Sequence, residues 1–170
     1  LPSQLNTSLR QINAVICSFD LTDFTSLSER NAPDAVIAML NEYFALAVGL
    51  VEAHGGHVLK FMGDGMLAMF DDDEDDMTRA ATAALEMAAA LPDAMAARNA
   101  ERTASGKPVA EATLALHAGE LLYGNIGAED RLDFTVIGSA VNLTARLSGM
   151  HRTLGQDLIV SEHVLRHAPQ

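Results

Sequence analysis

The chain has 170 residues, about half of them apolar, with a net charge of −12 and a single cysteine. That length suits one domain burying roughly 70% of its unfolded surface, and the apolar share argues against disorder. The acidity excludes a nucleic-acid partner, whose phosphates need basic patches, and leaves any anionic substrate to be held by metal ions and a few placed cations.

Cys17 has no partner for an intrachain disulfide and fits a reducing compartment. Within Ala14-Val15-Ile16-Cys17 it reads as a small core residue. No run approaches the ~18 apolar residues of a membrane span, and no signal peptide precedes the first strand. These features point to a cytoplasmic domain. The start at Leu1 rather than Met leads us to expect a fragment or processed form of something longer, with any regulatory domain or membrane anchor outside this window.

In chain order, residues 1–12 read as a polar lead-in and Ala14 to Phe19 as a buried strand. Pro33 suits the first turn of a helix. Val36, Met39, Leu40, Tyr43, Phe44, Ala47, Leu50 and Val51 follow at helical steps, ending near His54-Gly55-Gly56. His57 to Phe61 and Met66 to Phe70 form a hairpin around Met62-Gly63-Asp64-Gly65. The acids from Asp71 to Asp76 lack the glycine and terminal glutamate of a calcium loop, and instead complement the dipole of a helix from Met77 to about Leu91. Pro92 is expected to kink or restart that helix, and Thr103 to Pro108 reads as a loop.

Glu111 to Gly119, Glu120 to Ile126 and Leu132 to Ile137 read as strands. Ser139 is the expected N-cap of a helix through Leu147, stopped by Gly149. Asp157 to Val160 is a last short strand before a helical start at Ser161. The order predicts an α+β fold: a ferredoxin-like βαββαβ core whose mostly antiparallel sheet carries helices on one face.

Asp20 and Asp64 each sit where an apolar strand ends. If those strands are neighbours, the carboxylates converge into a site for hard divalent cations, with phosphate oxygens completing the shell. Singly, Asp20 is equally well a helix cap and Asp64 a turn residue. Lys60 is unusual on an apolar strand, although an edge-strand lysine that blunts aggregation would look the same. Asn142 and Arg146 are four apart and share a helix face, beside an apolar stripe of Ala140, Leu143, Leu147 and Met150. Periodicity alone does not separate that pair from a solvated polar face. His54/His57 and His163/His167 lack a third ligand for zinc, and no GxxxxGK[ST] phosphate loop occurs.

Four patterns in order carry a resemblance: Phe19-Asp20-Leu21-Thr22-Asp23-Phe24-Thr25, Gly55 to Gly65, Gly119 to Gly127, and Phe134 to Leu147. From about residue 13 to 167 the chain resembles a class III nucleotidyl cyclase catalytic domain. The resemblance implies that Asp20, Asp64 and the Leu21 carbonyl bind two divalent cations, Mg²⁺ or Mn²⁺. It implies that Lys60 and Thr135 read the purine, that Asn142 holds the ribose, and that Arg146 stabilises the transition state. Backbone N–H groups of Leu21, Thr22, Asp23, Phe24 and Thr25 would cradle the β- and γ-phosphates.

Many members carry Asp where this chain has Thr135; threonine resembles the subgroup that includes bicarbonate-responsive adenylate cyclases. A guanine reader would carry Glu in place of Lys60, so the resemblance implies ATP as substrate and cyclic AMP as product. Ser139 stands where Asp is common. The domain, residues 13–170, ends before the family's final hairpin, which can supply a phosphate-binding lysine. Family geometry divides the site between two subunits, which implies a homodimer. The alternatives are a guanylate cyclase and a catalytically silent, nucleotide-sensing dimerisation module. A diguanylate cyclase is disfavoured by the lack of its Gly-Gly-acidic hairpin.

Overall fold

Period-two patterning makes β1 (Thr7–Leu21) the central strand of a sheet. The computed structural model describes residues 7–71, 76–128 and 131–168. After β1 come α1 (Phe24–Arg30), α2 (Pro33–Ala53), β2 (His57–Met62), β3 (Gly65–Phe70) and α3 (Met77–Ala104). Then follow β4 (Ala112–Ala128), β5 (Arg131–Ile137), α4 (Ser139–Ser148), α5 (His151–Leu154), β6 (Leu158–Val160) and α6 (Glu162–His167). The sheet order is β2-β3-β1-β4-β5, with β6 paired to β4. Every pair is antiparallel except β4 with β6. The units β1-α2-β2-β3-α3-β4 form the expected ferredoxin-like core.

The two faces of β1 have different partners. Val15, Cys17, Phe19 and Leu21 belong to the main core with Met39, Tyr43 and Val51 of α2 and the small residues Ala80, Ala84 and Ala88 of α3. Burial of each large side chain contributes about 1.5–3 kcal/mol. Ala14 and Ile16 face the other way and pack with Leu67, Met69, Leu121 and Ala140 of α4. Helices therefore cover both faces, which corrects the expectation of one. Gly119 makes the second layer possible, because a Cβ there would meet the Ala140 Cβ at 2.8 Å.

Contrary to the expectation that no run approaches a membrane span, helix α2 is long and apolar enough by composition to cross one. Here it is a core helix, with Val36, Met39, Tyr43, Ala47 and Val51 buried. The Cys17 thiol is fully buried, and burial, then the nearby Asp20 charge, push it up to about 12.

Several boundaries differ from the sequence reading. Residues 7–12 are strand rather than lead-in, paired from Thr7↔Ile126 to Ile12↔Leu121. The two strands expected between Glu111 and Ile126 are one, because β1 pairs with β4 without interruption through Ala14↔Gly119 and Asn13↔Glu120. Helix α3 runs through Pro92 to Ala104. Gly138, at φ 139°, occupies the cap of α4, and Ser139 is its first helical residue. The short helices α1 and α5 were not expected from periodicity. Asp76 caps α3 by accepting from the Thr78 N–H at 3.0 Å; residues 72–75 of the acidic run lie outside the described residues.

Candidate active site

Asp20 is the penultimate residue of β1 and pairs across the ladder with Gly65, the first residue of β3. Asp64 precedes it in the β2–β3 turn, and the Leu21 N–H approaches the Asp64 carbonyl at 3.4 Å. The strands are neighbours, so the two aspartates meet at one corner of the sheet. Burial, and then the Asp20 charge, push the Asp64 carboxyl above its ordinary range. Among the described residues neither carboxylate has a Lys or Arg partner. A Cβ on Gly65 would lie 2.4 Å from Asp20 Oδ1, so the bare glycine leaves room for that oxygen.

The other oxygen is already engaged. Ser148 Oγ–H donates to Asp20 Oδ2 at 2.6 Å, and Ser18 Oγ–H donates to it at 3.3 Å. Neither serine was singled out in the sequence. Ser18 shares the Asp20 face of β1 by period two, a signal that was available. Ser148 lies four residues after Thr144 and eight after Ala140, on the sheet-facing stripe of α4. Those two are buried, whereas Leu143 and Met150 of the expected apolar stripe are exposed. Thr144 Oγ1–H turns back to the Ala140 carbonyl at 2.7 Å.

Lys60 reaches this face through an irregularity. The β2–β3 register slips between Val58 and Lys60, so Leu59 joins the second core while Lys60 pairs with Leu67. Leu67 pairs in turn with Ser18, so Lys60 stands in a row on the Asp20 face. Asn142 and Arg146 are exposed on the outer side of α4, and like Lys60 they make no hydrogen bond or ion pair among the described residues. Thr135 pairs through its backbone with Gly124; its side chain lies outside what is described.

Beyond Leu21, Thr22 and Asp23 turn the chain into α1, where Phe24 and Thr25 are the first helical residues. The Thr22 N–H is held by the Glu111 carbonyl at 2.8 Å, and Asp23 takes a left-handed φ of 57°. An open hollow of about 450 Å³ borders Thr22, Asp23, Thr113, Ser148 and Arg152. The Arg152–Asp23 pair on its rim, 3.7 Å apart and exposed, is worth little.

Among the described residues no three His, Cys, Asp or Glu side chains converge. The Asp20 and Asp64 carboxylates offer oxygen donors beside an open hollow. That set fits a Mg²⁺-like cation whose remaining ligands are water and phosphate.

A family model described as the adenylate and guanylate cyclase catalytic domain matches residues 8–167. Adenylate cyclase 1 of Rhizobium meliloti is 38% identical over 146 residues, covering 86% of this chain and 22% of that protein. The chain thus spans about a fifth of that relative's length. The crystal structure of the adenylyl cyclase CyaB from P. aeruginosa superimposes with a TM-score of 0.82 at 27% identity, covering 95% of this chain and 82% of that one. The guanylyl cyclase Cya2 superimposes with a TM-score of 0.77 at 32% identity, covering 97% and 81%.

Proposed function

Because this chain belongs to the adenylate and guanylate cyclase catalytic-domain family, we propose that it is an adenylate cyclase, forming 3′,5′-cyclic AMP and pyrophosphate from ATP at a site shared across a homodimer. The observation that carries the reading is the Asp20–Asp64 pair at one corner of the sheet, uncompensated by any described basic side chain.

Asp20, Asp64 and the Leu21 carbonyl would hold the cations. Two divalent cations, Mg²⁺ or Mn²⁺, supply when bound a lowered pKa at the ribose 3′-hydroxyl and neutralisation of the triphosphate. Lys60 donates to an adenine ring nitrogen and Thr135 accepts from the adenine amino group. Asn142 orients the ribose for in-line attack on the α-phosphorus. Arg146 balances the charge gathering on the α-phosphoryl oxygens; losing such a group costs roughly 10²–10³-fold in rate. The Thr22 N–H is held by the Glu111 carbonyl and the Leu21 N–H approaches the Asp64 carbonyl, so of the expected cradle the N–H groups of Asp23, Phe24 and Thr25 are the ones that face the β- and γ-phosphates.

The exposure of Asn142 and Arg146 supports division of the site between two copies, since they share the outer side of α4 with the exposed apolar Leu143. Exposed Phe61 and Met62 flank the Asp64 turn and suit the same cover. The test is complementation. Asp20→Ala and Arg146→Ala chains should each be inactive alone, and mixing them should restore part of the activity by rebuilding one site per mixed dimer. No recovery in demonstrated mixed dimers overturns the shared site.

A second reading, guanylate cyclase, is favoured by the likeness to Cya2. Turnover of ATP against GTP, with Mg²⁺ and Mn²⁺, separates the two. Binding of Mg–ATP without cyclic product would favour a nucleotide-sensing module. The likeness of Thr135 to bicarbonate-responsive enzymes makes bicarbonate the first activator to assay.

A further inference from the structure

We propose that Ser148 is a positioning residue: its hydroxyl fixes the Asp20 carboxylate so that Oδ1 stays free for a divalent cation. This rests on the cation reading of Asp20.

Three observations converge on the role. The Ser148 hydrogen bond to Oδ2, at 2.6 Å, is short, as expected for a hydroxyl donating to an ionised carboxylate. The Ser18 hydroxyl approaches the same oxygen, so two donors fasten one end of the carboxylate, and among the described residues none reaches the other. Gly65 keeps the space at Oδ1 open. A carboxylate free to rotate would lose entropy on taking a cation; one already fastened does not. The placement also has an electrostatic consequence. Ser148 closes α4, whose C-terminal end carries partial negative charge. That end lies beside Asp20, and Asp64 is close by. Neither carboxylate has a Lys or Arg partner among the described residues, so their charge is left for a cation to balance.

Ser148 further ties Asp20 to the helix that carries Asn142 and Arg146. In a shared-site dimer these two groups of one chain serve different sites, so the effect of Ser148 must follow Asp20 rather than Arg146.

Mn²⁺ titration followed by electron paramagnetic resonance tests this on the whole chain, without nucleotide and without turnover. Ser148→Ala should weaken Mn²⁺ binding about tenfold, as losing a partner of a ligating carboxylate does. Ser148→Thr, which keeps the hydroxyl, should bind within about twofold of the wild type. Thermal melts of both variants show that the fold is retained. Binding of Ser148→Ala at the wild-type level, with Asp20→Ala losing it, overturns the role of Ser148 alone. An unchanged Asp20→Ala removes the cation reading and the proposal with it.

Mixed dimers supply the second arm. Ser148→Ala placed in the chain that carries Arg146→Ala, and so supplies Asp20 to the live site, should raise the Mn²⁺ requirement for turnover. Placed in the Asp20→Ala chain it should do nothing. Equal losses in both placements mean that Ser148 acts on α4 as a whole, which overturns the proposal.

Discussion

A Cβ on Gly65 would lie 2.4 Å from Asp20 Oδ1 and 3.1 Å from the Phe19 carbonyl oxygen. The nearer clash is with the end of a side chain, which can swing away, so Gly65→Ala should fold. It should also turn Asp20 out of its place: at least tenfold lower cyclase activity is expected, with a melting temperature near that of the wild type. Wild-type activity would refute the role given to the bare Cα. Residues whose part depends on a neighbour of this kind differ in how visible they were. Asp20 and Asp64 could be read from strand ends, because their setting is made by adjacent residues. Ser148 could not, because its partner is 128 residues away and a serine in a last helical turn is ordinary. Lys60 was noticed as a cation on an apolar strand, yet the slip between Val58 and Lys60 that puts it on the Asp20 face leaves no mark in the local pattern.

Among the elements, α3 carries the plainest conflict between local and tertiary terms. Its 28 residues continue through Pro92, which lacks the N–H that would bond the Ala88 carbonyl and costs a helix interior about 3 kcal/mol. Ala80, Ala84, Ala88 and Leu91 are buried on one side, and that packing outweighs the break. Pro92→Ala should therefore raise the melting temperature by several degrees, since about 1 kcal/mol moves a chain of this size by roughly 2–4 °C. A lower melting temperature would mean that the proline is needed in the folded helix. The case of β4 is parallel. Gly119 and Glu120 read as a break between strands, but the unbroken ladder to β1, through Ala14↔Gly119 and Asn13↔Glu120, keeps them extended. Gly119 is there for the approach of α4, not for a turn.

Over the whole molecule, stability should depend on pH through His117. It is buried on β4, with Nδ1 2.9 Å from Ser161 Oγ and its ring edge-on to His163 at 4.9 Å. Burial, and then the His163 charge, hold its pKa below the ordinary value. The unfolded chain binds that proton more readily, so the contribution is complete above about pH 6.5 and is lost as pH falls through the lower folded value. His117→Gln, which keeps a hydrogen-bonding group but does not titrate there, should flatten the fall of melting temperature between roughly pH 7 and 5. Parallel curves for the two proteins would exclude His117 as the source. The sequence by itself determined the α+β order, the hairpin that presents Asp64, and the aspartates as a candidate cation pair, because periodicity, turn residues and strand ends act between near neighbours. Only the tertiary structure decided that α4 lies on the face opposite α2 and α3, that Lys60 joins Asp20, and that Ser148 fastens the carboxylate. Those outcomes depend on contacts between distant segments, which packing selects and local spacing does not encode.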